Sequence, residues 1–144
     1  MAHPFYCPFC FMEIHPDDLV CPFCRKEIAD WLRTTPYTVR LIHALSHPNS
    51  EVRMGAILSL GKRGEIISAG SLADCAMGWP TDVVQGLEIV RSIGQILPSP
   101  EKDEALRRLT FHPSRPVRNA AKKSLREQDP SLLPEVKKSE RSDS

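Results

Sequence analysis

The sequence predicts an all-α fold, a solenoid of three stacked helical hairpins preceded by a small cysteine-rich module. Two observations predict this fold. A turn-and-helix pattern recurs around Pro48, Pro80 and Pro113, at spacings of 32 and 33 residues. The motif Cys-Pro-Phe-Cys occurs twice near the N-terminus. A fixed period of hairpin length is typical of stacked units that share one continuous core.

The cysteine-rich module is predicted to span residues 1–28. Cys7, Cys10, Cys21 and Cys24 follow the pattern C-x2-C-x10-C-x2-C. Two residues between cysteines let one tight turn aim both sulfurs at a single point, and two such turns complete a tetrahedron. Zinc accepts this geometry, with Zn–S bonds of ~2.3 Å. So small a module cannot bury enough apolar surface to fold alone, so we expect a metal to stabilise it.

These residues resemble the short zinc-ribbon family, whose pattern is CPxCG, a short acidic linker and CPxCG again. Phe11 and Arg25 stand where that family usually has glycine, so we expect some backbone strain and weaker metal binding there. The sequence favours one structural zinc ion, because four thiolates leave no open coordination position for catalysis. Iron in a rubredoxin-like site is less favoured, since the knuckles lie closer together than in that family. Two disulfides are disfavoured by a reducing cytoplasm.

The helical region is predicted to span residues 29–128. A short helix over residues 26–33 leads into it. Trp31 in this helix is expected to pack the module onto the solenoid or to cap the first hairpin. Thr35 is predicted as the N-cap of the next helix, with Pro36 at its first position. The following helix is predicted over residues 37–46, because Val39, Ile42 and Leu45 share one face.

Each hairpin turn is followed by a residue that can cap a second helix. Asn49, Thr81 and Ser114 directly follow the three turn prolines and carry side-chain oxygens. The pairs Gly55-Ala56 and Ala120-Ala121 are predicted to let helices approach closely. The middle second helix, predicted over about 82–97, is apolar on most sides and is therefore expected at the centre of the stack.

The repeated turns and helices resemble HEAT repeats of the short bacterial kind, which also occur in phycobilisome lyases. The resemblance covers about residues 36–128, and its period is short against the ~40 residues usual for HEAT repeats. It implies the fold only, a HEAT-like superhelix. No residue supports bilin chemistry, so that activity is not expected here.

Three long polar side chains recur five residues after each turn proline. Arg53, Gln85 and Arg118 are therefore predicted to line up across the stack, with Glu88 and Lys122 extending the row by about one turn. One interpretation makes this row a partner-binding strip. The other, which the HEAT resemblance implies, makes the arginines a structural ladder between repeats. The sequence leaves both open.

Composition favours a soluble globular chain. The 144 residues are 41% hydrophobic and 26% charged, with a formal net charge of +1. Four zinc thiolates would lower this to about −1, which predicts neither strong nucleic-acid attraction nor membrane-surface binding. Without a signal peptide or membrane span, the chain is expected in the cytoplasm.

Cys75 is predicted as a core residue, His47 and His112 as turn residues, and 129–144 as a disordered tail.

No catalytic constellation is recognisable in the sequence, and no small-molecule substrate is expected. The sequence therefore predicts a non-enzymatic scaffold that binds another protein or a peptide. A nucleic-acid-binding accessory protein is the main alternative, and a subunit of a redox or transferase complex is a weaker one. The nucleic-acid alternative would use the aromatic residues of the ribbon and the basic residues of the third hairpin, Arg115, Arg118, Lys122, Lys123 and Arg126.

Overall fold

The computed structural model describes residues 4–128, in which seven α-helices and two short strands form. The predicted tail at 129–144 lies outside these described residues. A mostly helical fold, as predicted, is confirmed. Within the described range, none of the helices combines the length and the apolar character needed to cross a membrane. In chain order the elements are β1 (Phe5–Tyr6), β2 (Glu13–Ile14), α1 (Ile28–Thr34), α2 (Tyr37–Ala44), α3 (Ser50–Arg63), α4 (Ser68–Gly78), α5 (Val83–Gly94), α6 (Pro100–Leu109) and α7 (Arg115–Gln128).

The last six helices pack as three successive pairs. α2 contacts α3, α4 contacts α5, and α6 contacts α7. Between pairs, α3, α5 and α7 lie side by side, and α4 contacts both α2 and α6. α5 touches α3, α4, α6 and α7, which confirms its predicted central position. The most deeply buried large apolar side chains come from all three pairs and include Ile57, Leu60, Leu72, Ile89, Ile93, Leu106, Leu109 and Leu125.

Two predicted helix caps differ from the structure. Asn49 caps α3 as predicted, and its side chain accepts from the Glu51 amide at 2.7 Å. Asp82, not Thr81, caps α5. Thr35 does not start α2. Its backbone is extended, as expected before a proline, and its amide bonds to the Trp31 carbonyl, so Thr35 ends α1.

The small residues predicted at helix contacts have mixed outcomes, since Ala56 and Ala121 are buried in the core whereas the tightest glycine positions lie elsewhere. Gly55 faces open space. An added Cβ on Gly61 would lie 2.7 Å from Ser92 Oγ, and one on Gly86 would lie 2.8 Å from Val117 Cγ2. Gly61 therefore permits the α3–α5 contact, and Gly86 permits the α5–α7 contact.

Candidate metal centre

Each Cys-Pro-Phe-Cys motif folds into a tight turn that its own backbone closes. The Phe11 amide donates to the Cys7 carbonyl at 2.9 Å, and the Arg25 amide donates to the Cys21 carbonyl at 2.9 Å. The first turn connects the antiparallel strands β1 and β2. The sequence repeat thus produces two knuckles with the same internal hydrogen bond.

The residue after each knuckle adopts the left-handed backbone conformation. Phe11 has φ 67° and Arg25 has φ 66°. Residues with a Cβ are disfavoured there by about 1–2 kcal/mol. The strain predicted from the missing glycines is therefore present at both positions.

The four sulfurs of Cys7, Cys10, Cys21 and Cys24 lie within 4.8 Å of one another. Cys7 Sγ is 3.7 Å from Cys24 Sγ, and Cys10 Sγ is 3.6 Å from Cys21 Sγ. A tetrahedral ion with bonds of ~2.3 Å would hold its sulfurs about 3.8 Å apart, whereas a disulfide needs ~2.05 Å. The four cysteines are free thiols in an arrangement compatible with a single metal site.

The thiols of the site have different electrostatic environments, even within the second knuckle, where the pKa of Cys24 is raised and that of Cys21 is lowered. Burial raises the pKa of Cys10 to about 12, and it also raises the pKa of Cys24. At Cys21 burial acts in the same direction, but hydrogen bonds from the amides of Cys24 and Phe23, together with the neighbouring thiols, lower the pKa to about 7. Both amides lie 3.4 Å from the Cys21 sulfur. Metal binding must therefore displace protons from Cys10 and Cys24.

The apolar surroundings of the site treat the two knuckle phenylalanines differently. Ile14 and Ile28 are buried beside the cysteines, and Phe9 packs against the same cluster. Phe23, at the equivalent position of the second knuckle, is 57% exposed. The two knuckles have the same sequence, but Phe9 packs on Trp31 and His43 of the helices, whereas Phe23 stays exposed.

An aromatic–histidine cluster joins the cysteine module to α2. The His43 ring stacks on Phe9 with centroids 5.0 Å apart, and it lies 4.9 Å from Phe11 and 5.5 Å from Trp31. His43 Nε2 also forms a hydrogen bond with the Phe9 carbonyl. Because Phe9 lies between Cys7 and Cys10, His43 connects the first knuckle directly to the helices. Trp31 contacts both Phe9 and His43, as expected for packing the module onto the helices.

His47 extends the same cluster to the end of α2. Its Nδ1 accepts from the Asn49 amide at 3.0 Å, so it is a turn residue as predicted. Its ring also lies 4.6 Å from Phe11 and 5.5 Å from Tyr6. Burial, with a smaller effect of the Arg53 charge, lowers the pKa of His47, which keeps Nδ1 able to accept. Sequence reasoning missed the docking roles of His43 and His47, because three of their aromatic partners, Tyr6, Phe9 and Phe11, are more than thirty residues away.

A mostly apolar groove of about 260 Å³ lies where the module meets α1, α2 and α3. We call it the junction groove. Leu32, Tyr37 and Val52 are 38–49% exposed along it. No sequence signal identified this groove, since it exists only where distant segments meet. Six residues that define it are Phe11, Leu32, Tyr37, Arg40, Leu41 and Val52.

Arg53 lies in the interior and not on the predicted partner-binding strip. It is 3% exposed. Its Nη1 donates to the carbonyls of His47 at 2.8 Å and Pro48 at 3.0 Å, and its guanidinium stacks 3.7 Å from the centre of the Trp79 ring. Arg53 therefore stabilises the turn that precedes its own helix. Its guanidinium is buried and out of reach of a partner.

Gln85 is also internal, since it is 1% exposed and its Oε1 accepts from Arg53 Nε at 2.7 Å. Arg118 repeats part of the pattern: its Nη1 donates to the carbonyls of His112 and Pro113, both at 2.9 Å. The exposed row expected from the sequence is thus absent at Arg53 and Gln85. Their contacts are those of the structural ladder alternative.

The other singled-out residues occupy separate places. Lys122 is exposed and Glu88 is half-buried, so their partner-binding role stays a prediction. Cys75 is buried, as predicted for a core residue, and its thiol donates to the Leu45 carbonyl. His112 accepts the Ser114 amide at 2.9 Å, as a turn residue does.

Comparison of the chain with protein-family models, with curated proteins and with solved structures found no match. The zinc-ribbon and HEAT-like resemblances therefore stay predictions that rest on the residues described above.

Proposed function

We propose that this chain is a non-enzymatic protein-binding module. Its three helix pairs would form a short HEAT-like α-solenoid, and the cysteine module would act as a zinc-ribbon cap on the first pair. The lateral contacts of α3, α5 and α7 support this proposal, because each pair packs mainly on its sequence neighbour. We further propose a cytoplasmic location, where cysteines stay reduced and available to a metal.

The metal we propose is one zinc ion with a structural role. Four thiolates saturate a tetrahedral zinc and leave no position for a substrate or a reactive water. The metal would hold together a module whose buried apolar residues are few, Ile14 and Ile28 beside Cys7 and Cys21. It would also hold Phe9 and Phe11 in place against α2.

The observation that carries the protein-binding proposal is the junction groove. Its exposed apolar side chains include Leu32, Tyr37 and Val52. Contiguous exposed apolar surface with a polar rim is typical of protein-interaction sites. The groove volume of about 260 Å³ is small for a drug-sized ligand, for which pockets of about 300–1,000 Å³ are usual. It suits one or two side chains of a partner.

Nucleic-acid binding remains the alternative. The exposed basic residues of α7 support it, since they could contact phosphates. Against it, Phe9 packs on His43 and Phe11 packs on His43 and His47, although Phe5 and Phe23 of the ribbon are exposed. The exposed basic residues of α7 are Arg115, Lys122, Lys123 and Arg126.

Quantitative affinity capture from a lysate of the source organism tests the proposal. The bait is the zinc-loaded full chain, compared with the variants Leu32→Glu in the groove and Val84→Glu on α5. Val84 is 71% exposed and does not line the groove, so it serves as the control. We expect one or a few proteins that bind the wild type and Val84→Glu but not Leu32→Glu. Equal capture by all three baits, or capture of nucleic acid alone, would contradict the proposal.

A further inference from the structure

The junction groove combines an apolar lining with one fully charged side chain. Arg40 is the only lysine, arginine, aspartate or glutamate among the groove-lining residues. Its Nε donates to the Thr35 carbonyl at 3.2 Å, and its guanidinium carbon lies 5.2 Å from the centre of the Tyr37 ring. The guanidinium is therefore held beside the exposed Tyr37 at the groove.

The charge of Arg40 is not neutralised by an ion pair within residues 4–128. Arg53, Arg63 and Arg108 each lie within 4.0 Å of a carboxylate oxygen, whereas Arg40 has no carboxylate within that distance in this range. A half-buried guanidinium beside an apolar surface interacts more strongly with a carboxylate than an exposed one does, because water screens the pair less. Guanidinium groups also match carboxylates geometrically, through paired N–H donors.

The second arginine beside Tyr37 differs from Arg40 because its charge is already neutralised. Arg63 lies 5.2 Å from the centre of the Tyr37 ring, but it is paired with Glu65 at 3.4 Å and adds no net charge to this edge. Among the lining residues no aspartate or glutamate would repel an acidic ligand, and Cys7, whose sulfur would be a thiolate in the zinc-loaded chain, is only 1% exposed. His47 also lines the groove. Its Nδ1 already accepts a hydrogen bond from the Asn49 amide of the turn.

We infer that the junction groove binds an acidic, apolar peptide segment of a partner protein. A bulky apolar side chain of that segment occupies the space between Phe11, Leu32 and Val52, and a neighbouring carboxylate pairs with Arg40. This inference rests on the proposed protein-binding function and names the chemistry of its partner. One wall of the groove belongs to the cysteine module, so the groove is complete only while the module stays docked on α2.

Selection from a phage-displayed library of random 12-residue peptides, against the zinc-loaded full chain, tests this inference. We expect enriched peptides that carry aspartate or glutamate close to an aromatic or leucine residue. Synthetic forms of these peptides should lose at least tenfold in affinity on Arg40→Gln, as expected for loss of a charge-assisted hydrogen bond. Arg40→Lys should retain part of the affinity. Arg91→Gln, an exposed position on α5 outside the groove, should leave it unchanged.

Other outcomes would overturn the inference in distinguishable ways. Enriched peptides without acidic residues, equal binding to Arg40→Gln, or no enrichment at all would exclude an acidic peptide. Proteins captured in a Leu32-dependent manner would still leave the protein-binding function in place. Tighter peptide binding by a chain that ends at Gln128 would identify the chain's own residues 129–144 as the occupant. Self-association that Arg40→Gln abolishes would identify a second copy.

Discussion

Phe11 and Arg25 share one backbone strain but use their side chains differently. Both have φ near 66–67°. The exposed Arg25 side chain forms no ion pair with described residues, whereas Phe11 packs on His43 and His47. Arg25→Gly should therefore raise the free energy of unfolding by about 0.5–1 kcal/mol, because glycine accepts this conformation at only a modest entropic cost. Denaturant unfolding of the zinc-loaded protein measures the change.

Phe11→Gly is the matched control for that substitution. It relieves the same strain but removes two ring contacts, each worth about 0.5–1.5 kcal/mol. We expect it to lower the free energy of unfolding by about 1 kcal/mol. If both glycine variants were stabilised equally, the contacts of Phe11 with the histidines would contribute nothing, and the docking of the module on α2 described above would be wrong.

Arg53 and Arg118 form a second matched pair, at equivalent turns with different burial. Arg53→Gln leaves the buried Gln85 side chain and the carbonyl of His47 without their charged donor, and the partly exposed Asp82 without its cation. We expect a loss of about 3 kcal/mol in unfolding free energy. Arg118→Gln should cost about 1 kcal/mol, since its environment is partly solvated. Thermal unfolding of both variants, followed by circular dichroism, separates these values.

A small effect of Arg53→Gln would contradict the ladder and restore the surface interpretation.

The sequence could place Arg53 and Arg118 at one repeat offset, because that offset is local. It could not predict the burial of Arg53, which depends on Trp79 and Asp82 from the following hairpin turn. The clustering of the four cysteines was predictable, because their short spacing specifies the geometry locally.

At the scale of helices, α5 contacts α3 and α7 through positions where a side chain would not fit. Gly86→Ala would press a methyl group to 2.8 Å from Val117 Cγ2, and Val117 is fully buried. We expect a loss of about 1–3 kcal/mol in unfolding free energy. Gly55→Ala, in open space on α3, should instead gain about 0.5–1 kcal/mol. Calorimetric melting of both variants checks the pair, and equal shifts would contradict the assigned packing.

The helices themselves were largely predictable, whereas their contact points were not. The apolar character of α5 indicated its central place, which the contacts with four helices confirm. Of the small pair Gly55-Ala56, Ala56 is buried in the core but Gly55 faces open space, and the positions that leave no room for a side chain are Gly61 and Gly86. Periodicity shows which residues share a face of a helix. It does not show which neighbouring helix that face contacts, because this is set by the packing of the whole stack.

At the scale of the molecule, the cysteine module and the first helix pair form one docked unit. His43 forms a hydrogen bond with the Phe9 carbonyl of the first knuckle, and Trp31 packs against both residues. The junction groove lies along this contact. The proposed function therefore depends on the metal, because the knuckles hold one wall of the groove in place. Of the cluster that docks them the sequence predicted only the role of Trp31, since the other residues come from β1, the first knuckle, α2 and the turn after it.

Native mass spectrometry of freshly purified full-length protein tests directly whether the four cysteines hold one zinc ion. We predict one chain whose mass exceeds that of the fully reduced polypeptide by a single zinc ion, less the protons displaced from the thiols. Cobalt substitution should then give the visible absorption of a tetrahedral site with four sulfurs. A chain without metal, or a mass lowered by the four hydrogens of two disulfides, would contradict the account.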